Sequence, residues 1–522
     1  MTSVNDWEEL TAARLLDFFD ARSRWHRGLW NPGLVLSLRE ILEAAAAVRA
    51  SILSEPAIAF AIGNALKVAS SDQGIGQRGR LKALQKALQG QVRFEGLDYL
   101  AIKQLIREIQ SDYLATWATF LSDSKDRSNP ERTSRAVASH LLDLGFNSDF
   151  LHRWFTYRLK HEAPKRPLPE VVMDAHDLAA TPPQSFEAVV AFSAAPPAKF
   201  GRPDGWIDSR TVSQWLQQHG FSTAGVKQIG GVVLQLEARD GRAAAEAAVE
   251  LIENLSARAA IATTGDLRNL PHVWVAGESS PYTIREHTRG VSIGALIRED
   301  VVYNKLRGEE SIDAAFEMLA PLQGSSPIAA IASGWAAIEA LLSEPNDRGG
   351  AADRLASIVA CSYPRAELTA LSYRLAREDV AMKAALAGVS ENRDRARLVA
   401  EAITQGQPFA LRDWSDRAAV RRVAHVLRRP NEMLNDVQTY VAVAFRRLYR
   451  QRNLVLHGGK TNAVALRACL RTASPLVGAG MDRIAHGYYV NKTTPLALAA
   501  QARTSLIRVD ASEPMRTVDL LG

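Results

Sequence analysis

The chain has 522 residues, of which 47% are apolar and 23% charged, and its net charge is +6. This composition is ordinary for a globular protein, and the length predicts two or three domains. No apolar run reaches the roughly 18–20 residues of a membrane span, and the N-terminus lacks the apolar segment of a signal peptide. With only Cys361 and Cys469, neither a disulfide framework nor a thiolate zinc site is expected. We therefore expect a cytoplasmic protein with no membrane partner.

Apolar residues recur at helical spacing through residues 1–165, which predicts a helical N-terminal domain. Gly74, Gly76 and Gly79 have the G-x-G-x-x-G spacing of a dinucleotide-binding fingerprint. That fingerprint requires a preceding strand and a βαβ unit, and neither is indicated here. We interpret this segment as a flexible loop.

Prolines gather between residues 161 and 203, which predicts a linker over residues 166–185. Residues 186–305 then alternate between strand-like and helical segments, so they predict a small α/β or ferredoxin-like domain. The strands are expected at 186–192, 231–236 and 272–276, and the helices at 211–219 and 242–260. His272 and His287 in this domain are interpreted as structural histidines.

Residues 306–490 again predict helices. Ile331, Trp335, Ile338 and Leu342 form an apolar stripe at spacings of three and four, and a long helix is expected from about 431 to 456. The charged span from about 379 to 430 is interpreted as an insertion, and residues 491–522 as a loosely attached tail. The expected fold class is thus mainly α, with a small α/β domain between two helical domains.

The positive charge of the chain is concentrated between residues 410 and 471, here called the basic block. Twelve arginines and Lys460 stand against four carboxylates, so the block carries +9, more than the whole chain. Such a block is the expected footprint of a polyanionic partner such as RNA. The alternative is a set of solvated helix faces.

Arg452, Asn453 and His457 lie within this block and suggest phosphodiester chemistry. A guanidinium binds phosphate through a planar set of donors and keeps its charge, and an imidazole exchanges protons near neutral pH. Histidine therefore suits proton transfer in RNA cleavage, and arginine suits stabilisation of the charged phosphorane. The alternative is a surface arginine beside a histidine that caps a helix.

The arginine, the asparagine directly after it and the histidine five residues on resemble the RxxxxH motif of HEPN domains. A second segment, SGWAAIEALL at 333–342 followed by DRLA at 353–356, is similar to the opening helices of the Apea-like HEPN branch. The resemblance covers about residues 310–490. It implies an all-helical C-terminal bundle and a metal-independent endoribonuclease from a bacterial toxin or antiviral defence system. No cofactor or metal ion is expected.

These inferences assign a role to each candidate residue. Catalysis is assigned to Arg452, His457 and Asn453, with support from Glu339. RNA contacts are expected from the neighbouring cations Arg446, Arg447, Arg450 and Lys460. RNA is the expected partner, together with a second copy of the chain and a sensor or antitoxin protein bound by the upstream domains. His425 and His486 are the competing histidines.

Helix geometry places a condition on this site. Five residues correspond to about 500° of rotation, so Arg452 and His457 would point about 140° apart on an unbroken helix. They can converge only if the helix ends within the motif, for which Gly458 and Gly459 provide a signal, or across a dimer. The second functional hypothesis is a non-catalytic RNA-binding or scaffold protein that keeps the fold.

Overall fold

The computed structural model describes residues 4–123, 129–162, 166–195, 197–262, 267–284, 289–303, 310–324, 326–345, 347 and 349–522. These residues form twenty α-helices and one five-stranded sheet, which confirms the prediction of a mainly helical chain with a small α/β part. None of the described helices is long and apolar enough to cross a membrane.

The N-terminal helices surround one apolar core that includes Phe19, Trp117 and Phe155. Local signals set several helix starts: the side chain of Asn147, for example, accepts hydrogen bonds from the backbone of Asp149 and Phe150. The helices are α1 (Val4–Phe19), α2 (Leu34–Arg49), α3 (Glu55–Ala69), α4 (Arg78–Gln89), α5 (Leu97–Asp123), α6 (Pro130–Asp143), α7 (Ser148–Thr156) and α8 (Leu168–Ala180).

The prediction of a linker over residues 166–185 is wrong. Helix α8 occupies most of that range and buries Leu168, Val171 and Val172 in the N-terminal core. Pro167 and Pro169 lie at the start of the helix, where proline is tolerated because the first backbone N–H groups have no partner within the helix.

The glycine-rich segment is packed rather than flexible. Asp72 accepts hydrogen bonds from the backbone of Gly74 (2.9 Å), the hydroxyl of Tyr113 (2.7 Å) and the indole of Trp117 (3.1 Å). These contacts fix the turn against α5.

The middle domain is an antiparallel sheet of order β2-β3-β1-β4-β5 with a helix on each face. Alternate residues of β1 point to opposite faces, so Val190 packs with helix α10 and Val189 with helix α9. The predicted strands and helices are confirmed, but a ferredoxin-like arrangement is not found, since that fold has both helices on one face. The elements are β1 (Gln184–Ala194), β2 (Trp206–Asp208), α9 (Ser209–Gln218), β3 (Gly230–Ala238), α10 (Gly241–Ile261), β4 (Arg268–Val275) and β5 (Tyr282–Thr283).

The C-terminal helices form a second large core around Trp335 and Phe445. The span interpreted as an insertion contributes α15–α17, which build a smaller core with the end of α14. The helices are α11 (Ala295–Arg298), α12 (Glu310–Gly324), α13 (Pro327–Leu342), α14 (Gly350–Glu378), α15 (Val380–Ala385), α16 (Asn392–Thr404), α17 (Trp414–Arg428), α18 (Pro430–Leu456), α19 (Leu466–Asn491) and α20 (Pro495–Arg508).

The C-terminal tail is firmly attached, contrary to the prediction. Helix α20 buries Leu498, Ala502 and Leu506 in the C-terminal core. Beyond it, Leu520 and Leu521 are also buried, and the carboxylate of Asp519 is bound by the arginines Arg365, Arg393 and Arg397.

The N-terminal and C-terminal helices pack directly on each other. Trp30 lies in the C-terminal core, whereas Leu454 lies in the N-terminal core. Buried ion pairs cross the same boundary: Arg27 donates to Glu367 over 2.7 Å and to Asp416 over 2.8 Å. The helix that carries the RxxxxH motif is therefore held between the two cores.

Candidate active site

Helix α18 ends within the motif, at Leu456, and His457 occupies the position that caps it. The backbone N–H of His457 donates to Asn453 O (2.9 Å) and that of Lys460 donates to Leu454 O (3.1 Å), so the chain folds back over the last turn. Gly459 has φ +61°, a conformation in which a side chain is strained. The two glycines thus supply the sharp end that the sequence predicted.

The motif side chains lie together at this end of the helix. Nη1 of Arg452 lies 3.1 Å from Nε2 of His457 and 3.0 Å from Oδ1 of Asn453. His457 keeps helical backbone angles (φ −96°, ψ −28°), and its N–H still donates four residues back. The long side chain of Arg452 therefore reaches the imidazole around the last turn. The three residues that the sequence singled out therefore form one cluster.

The hydrogen bonds define the state of each group. Arginine only donates, so Nε2 of His457 accepts and must be unprotonated in this arrangement. Nη1 of Arg452 has two hydrogens, and its contacts with Asn453 and His457 use both. A phosphate would therefore be bound through Nε and Nη2 of the same guanidinium, and His457 can take a proton at Nε2 only once its hydrogen bond from Arg452 is released.

The cluster is anchored on one side and open on the other. Asn453 is buried, Arg452 is half-buried and His457 is exposed. Two apolar side chains close to the cluster in sequence, Leu456 and Val464, are 49% and 46% exposed.

Helix α13 supports the motif helix through aromatic packing. The ring of Trp335 is fully buried and its centroid lies 4.8 Å from that of Tyr449. Tyr449 precedes Arg452 by three residues on α18. Glu339, the predicted supporting residue, lies one turn beyond Trp335 on α13 and is half-buried.

Two of the four predicted RNA contacts are unavailable in this structure. Arg447 and Arg450 are 2% and 5% exposed, and both donate to the buried carboxylate of Glu40, over 2.7 and 3.3 Å. Burial by itself would raise the pKa of Glu40, but the two guanidinium groups outweigh it and lower that pKa. The triad joins α2 to α18, so its role is structural.

The other two predicted contacts are also paired. Arg446 forms an ion pair with Asp353 and lies 4.3 Å from the ring centroid of Phe60. Nζ of Lys460 lies 3.9 Å from Glu43, whose carboxylate accepts the backbone N–H of Val464 as well. Both side chains are half-buried, so each is accessible to RNA only in part.

Most cations of the basic block form ion pairs with carboxylates in distant segments of the chain. Eight of its thirteen cations contact carboxylates outside the block, and most of these carboxylates lie in the N-terminal helices. Much of the charge of the block therefore holds the fold together, and an RNA footprint on the remaining cations stays a prediction. The pairs are Arg417–Glu9, Arg422–Glu367, Arg446–Asp353, Arg447–Glu40, Arg450–Glu40, Lys460–Glu43, Arg467–Glu250 and Arg471–Asp143.

The other histidines considered lie away from this cluster. Nδ1 of His486 lies 3.0 Å from Glu299, and burial lowers the pKa of His486. His425 lines a cleft between the two sets of helices. His272 is on β4, and His287 lies outside the described residues.

The part of the chain that the structure describes contains neither a cluster of metal-ligating side chains nor an exposed thiol. No group of three His, Cys, Asp or Glu side chains there is arranged to hold a metal ion. Cys361 and Cys469 are buried and unpaired as disulfides, and burial raises the pKa of each thiol to about 12.

No protein-family model, curated protein or solved structure matched this chain. The resemblance to HEPN domains stays a prediction that depends on Arg452, Asn453, His457 and the Trp335 helix. Function is inferred below from those side chains and their geometry.

Proposed function

We propose that the chain is a metal-independent endoribonuclease of the HEPN type, active as a homodimer. The observation that supports this most is the cluster at the end of α18, where Arg452, Asn453 and His457 meet although five residues separate the arginine from the histidine. A merely structural arginine has no need of an exposed imidazole as its acceptor.

The cluster suits cleavage by the neighbouring ribose hydroxyl. The incoming 2′-hydroxyl takes the place of Nη1 of Arg452 at Nε2 of His457, which accepts the hydroxyl proton as the oxygen attacks phosphorus. Arg452 stabilises the charge that develops on the phosphorane oxygens. The bond from phosphorus to the 5′-oxygen then breaks, and that oxygen takes a proton from a second acid. The products are a 2′,3′-cyclic phosphate and a 5′-hydroxyl.

A second copy of the chain supplies the missing acid. One chain brings one histidine to the cluster, whereas cleavage needs a base and an acid at the same time. A two-fold contact through Leu456 and Val464 would cover both exposed apolar groups and bring two His457 side chains to one phosphate.

The biological setting that fits such an enzyme is an effector in a bacterial toxin or antiviral defence system. The N-terminal helices clamp the motif helix through Glu40, Arg447 and Arg450. They are therefore placed to transmit the binding of a sensor or antitoxin protein to the nuclease. A non-catalytic RNA-binding protein is less favoured, because most cations of the basic block form ion pairs within the chain.

Cleavage of total RNA by the purified chain in excess EDTA tests the activity. Wild-type protein should produce 2′,3′-cyclic phosphate and 5′-hydroxyl ends. Arg452→Ala and His457→Ala should each lower the rate by at least about a hundredfold with an unchanged circular dichroism melt. Arg503→Ala, an exposed arginine on α20, is the matched control and should cleave normally. Products with 5′-phosphate ends, or full activity in both variants, would contradict the proposal.

The dimer is tested separately by sedimentation. Leu456→Glu and Val464→Glu should each give a monomer that no longer cleaves RNA, because the shared site cannot assemble. Ile507→Glu places the same charge on a side chain that is 73% exposed on α20, and it should remain a dimer with normal activity. A wild-type monomer that cleaves RNA would rule out the shared site.

A further inference from the structure

A cleft of about 750 Å³ lies between the N-terminal and C-terminal helices. Its walls come from α6 on one side and from α17 and the first half of α18 on the other. Seven Arg or Lys side chains and four Asp or Glu side chains line it, a surplus of three positive charges. The volume is within the range of small-molecule sites.

Arg135 lines this cleft and has one buried donor without a partner. Its Nη2 donates to Glu131 (3.0 Å), and its guanidinium lies 4.8 Å from the ring centroid of Tyr440 and 5.6 Å from that of Trp30. These contacts fix the group in place. Nη1 is buried and has no hydrogen-bond partner among the described residues.

Arg422, on the opposite wall of the cleft, has two further buried donors without a partner. Its Nη2 donates to the buried carboxylate of Glu367 (3.1 Å), whereas Nε and Nη1 are buried without a partner in the described part of the chain. Arg14, which also lines the cleft, differs: its three nitrogens all donate to oxygen atoms. Arg14 thus shows that an arginine in this cleft can have all its nitrogens paired.

A buried donor without an acceptor costs about 1–3 kcal/mol, so three on two arginines call for an occupant. The occupant must carry several acceptor oxygens and negative charge, since the donors come from two walls and the lining is positive. A phosphate group meets both needs, and guanidinium groups bind it well. The cleft also has room beyond one phosphate ion, and the ring of Tyr440 lines that room.

We propose that this cleft binds a phosphate-bearing small molecule, with its phosphate between Arg135 and Arg422. Because Arg135 lies on α6 and Arg422 on α17, the ligand would join the N-terminal helices to the C-terminal helices. The cleft is distinct from the nuclease cluster. Tyr440 lines the cleft and Arg452 follows twelve residues later, about 18 Å along α18 at 1.5 Å per residue.

The test is calorimetric titration of the full chain at constant ionic strength with three probes: inorganic phosphate, ribose 5-phosphate and ATP. At least one should bind saturably and raise the melting temperature, and adenosine, which lacks phosphate, should do neither. The strongest probe shows whether the ligand is the free ion or an organic phosphate. Arg452→Ala should bind as wild type, which excludes the nuclease cluster as the site.

Two conservative variants locate the phosphate. Arg135→Lys and Arg422→Lys keep the charge beside Glu131 and Glu367 but remove the planar donors, and each should weaken binding at least about tenfold. Arg503→Lys is the matched control and should change nothing. The proposal is overturned if none of the three probes binds wild type below about 1 mM, or if both cleft variants bind as tightly as wild type.

Discussion

Nη1 of Arg452 lies 3.1 Å from Nε2 of His457, five residues later, at the C-terminal end of α18. On a continued helix the two side chains would diverge by about 140°. The reach of the long Arg452 side chain closes that angle, and the turn made by Gly458 and Gly459 holds the chain directly after His457.

The first prediction concerns that turn. Gly459→Ala should lower RNA cleavage at least about tenfold, because φ +61° strains a side chain and relief of the strain moves His457. The expected stability cost is about 1 kcal/mol. Gly388→Ala is the matched control: Gly388 also has a positive φ (+77°) and open space around it, but lies before α16. It should show the same stability cost and full activity. Equal activity of the two variants would show that the turn does not position the histidine.

The second prediction concerns the orientation of Arg452. Asn453→Leu removes the acceptor that holds Nη1, so cleavage should fall about tenfold or more, mainly through the rate of the chemical step. Asn453→Asp keeps an acceptor at the same place and should recover much of the lost rate. Single-turnover cleavage measures the step directly. A Leu variant as fast as the Asp variant would mean that Asn453 only fills space.

The third prediction concerns the buried triad of Glu40, Arg447 and Arg450. Glu40→Ala leaves two buried guanidinium groups without their carboxylate and should lower the free energy of unfolding by about 3–5 kcal/mol. Glu95→Ala removes an exposed pair with Arg49 and should cost less than about 1 kcal/mol. Urea denaturation of both variants is the measurement. Similar losses in the two variants would show that the triad contributes little to stability.

Elements whose formation depends on nearby residues could be predicted from the sequence. The long helix expected at 431–456 is found at Pro430–Leu456, because its apolar spacing lies within the helix and the glycines that end it follow directly in sequence. The strands of the middle domain were found for the same reason. Helix α8 was missed because proline density suggested a linker, although prolines at a helix start are compatible with a helix.

The roles of charged residues were predicted less well. Nothing near Arg447 or Arg450 in sequence shows that Glu40, some 400 residues earlier, would face them. One signal was present, since Glu40 interrupts an otherwise apolar helix face between Leu36 and Ala44. Arg135 and Arg422 were not singled out at all, because their unused donors appear only when two distant helices form one cleft.

The last prediction concerns pH and the contact between the middle domain and the N-terminal helices. Burial, reinforced by the charge of Asp240, raises the pKa of Glu246 to about 7, while Asn147 donates to its carboxyl over 2.6 Å. Below pH 4.5 the carboxyl is protonated in both the folded and unfolded states, so it costs no stability. Between pH 4.5 and 7 it ionises first in the unfolded state, so the free energy of unfolding falls as pH rises.

Glu246→Gln should abolish this fall in the free energy of unfolding between pH 4.5 and 7. The variant should be as stable as wild type at pH 4 and more stable at pH 8, by about 1–3 kcal/mol, since the partial exposure of the group reduces the full effect of the shift. Glu237→Gln, an exposed position on β3, is the matched control and should follow the wild-type curve. Thermal melts of the three proteins from pH 4 to pH 8 are the measurement. A Gln variant that gains no stability at pH 8 would show that folding does not raise the pKa of Glu246.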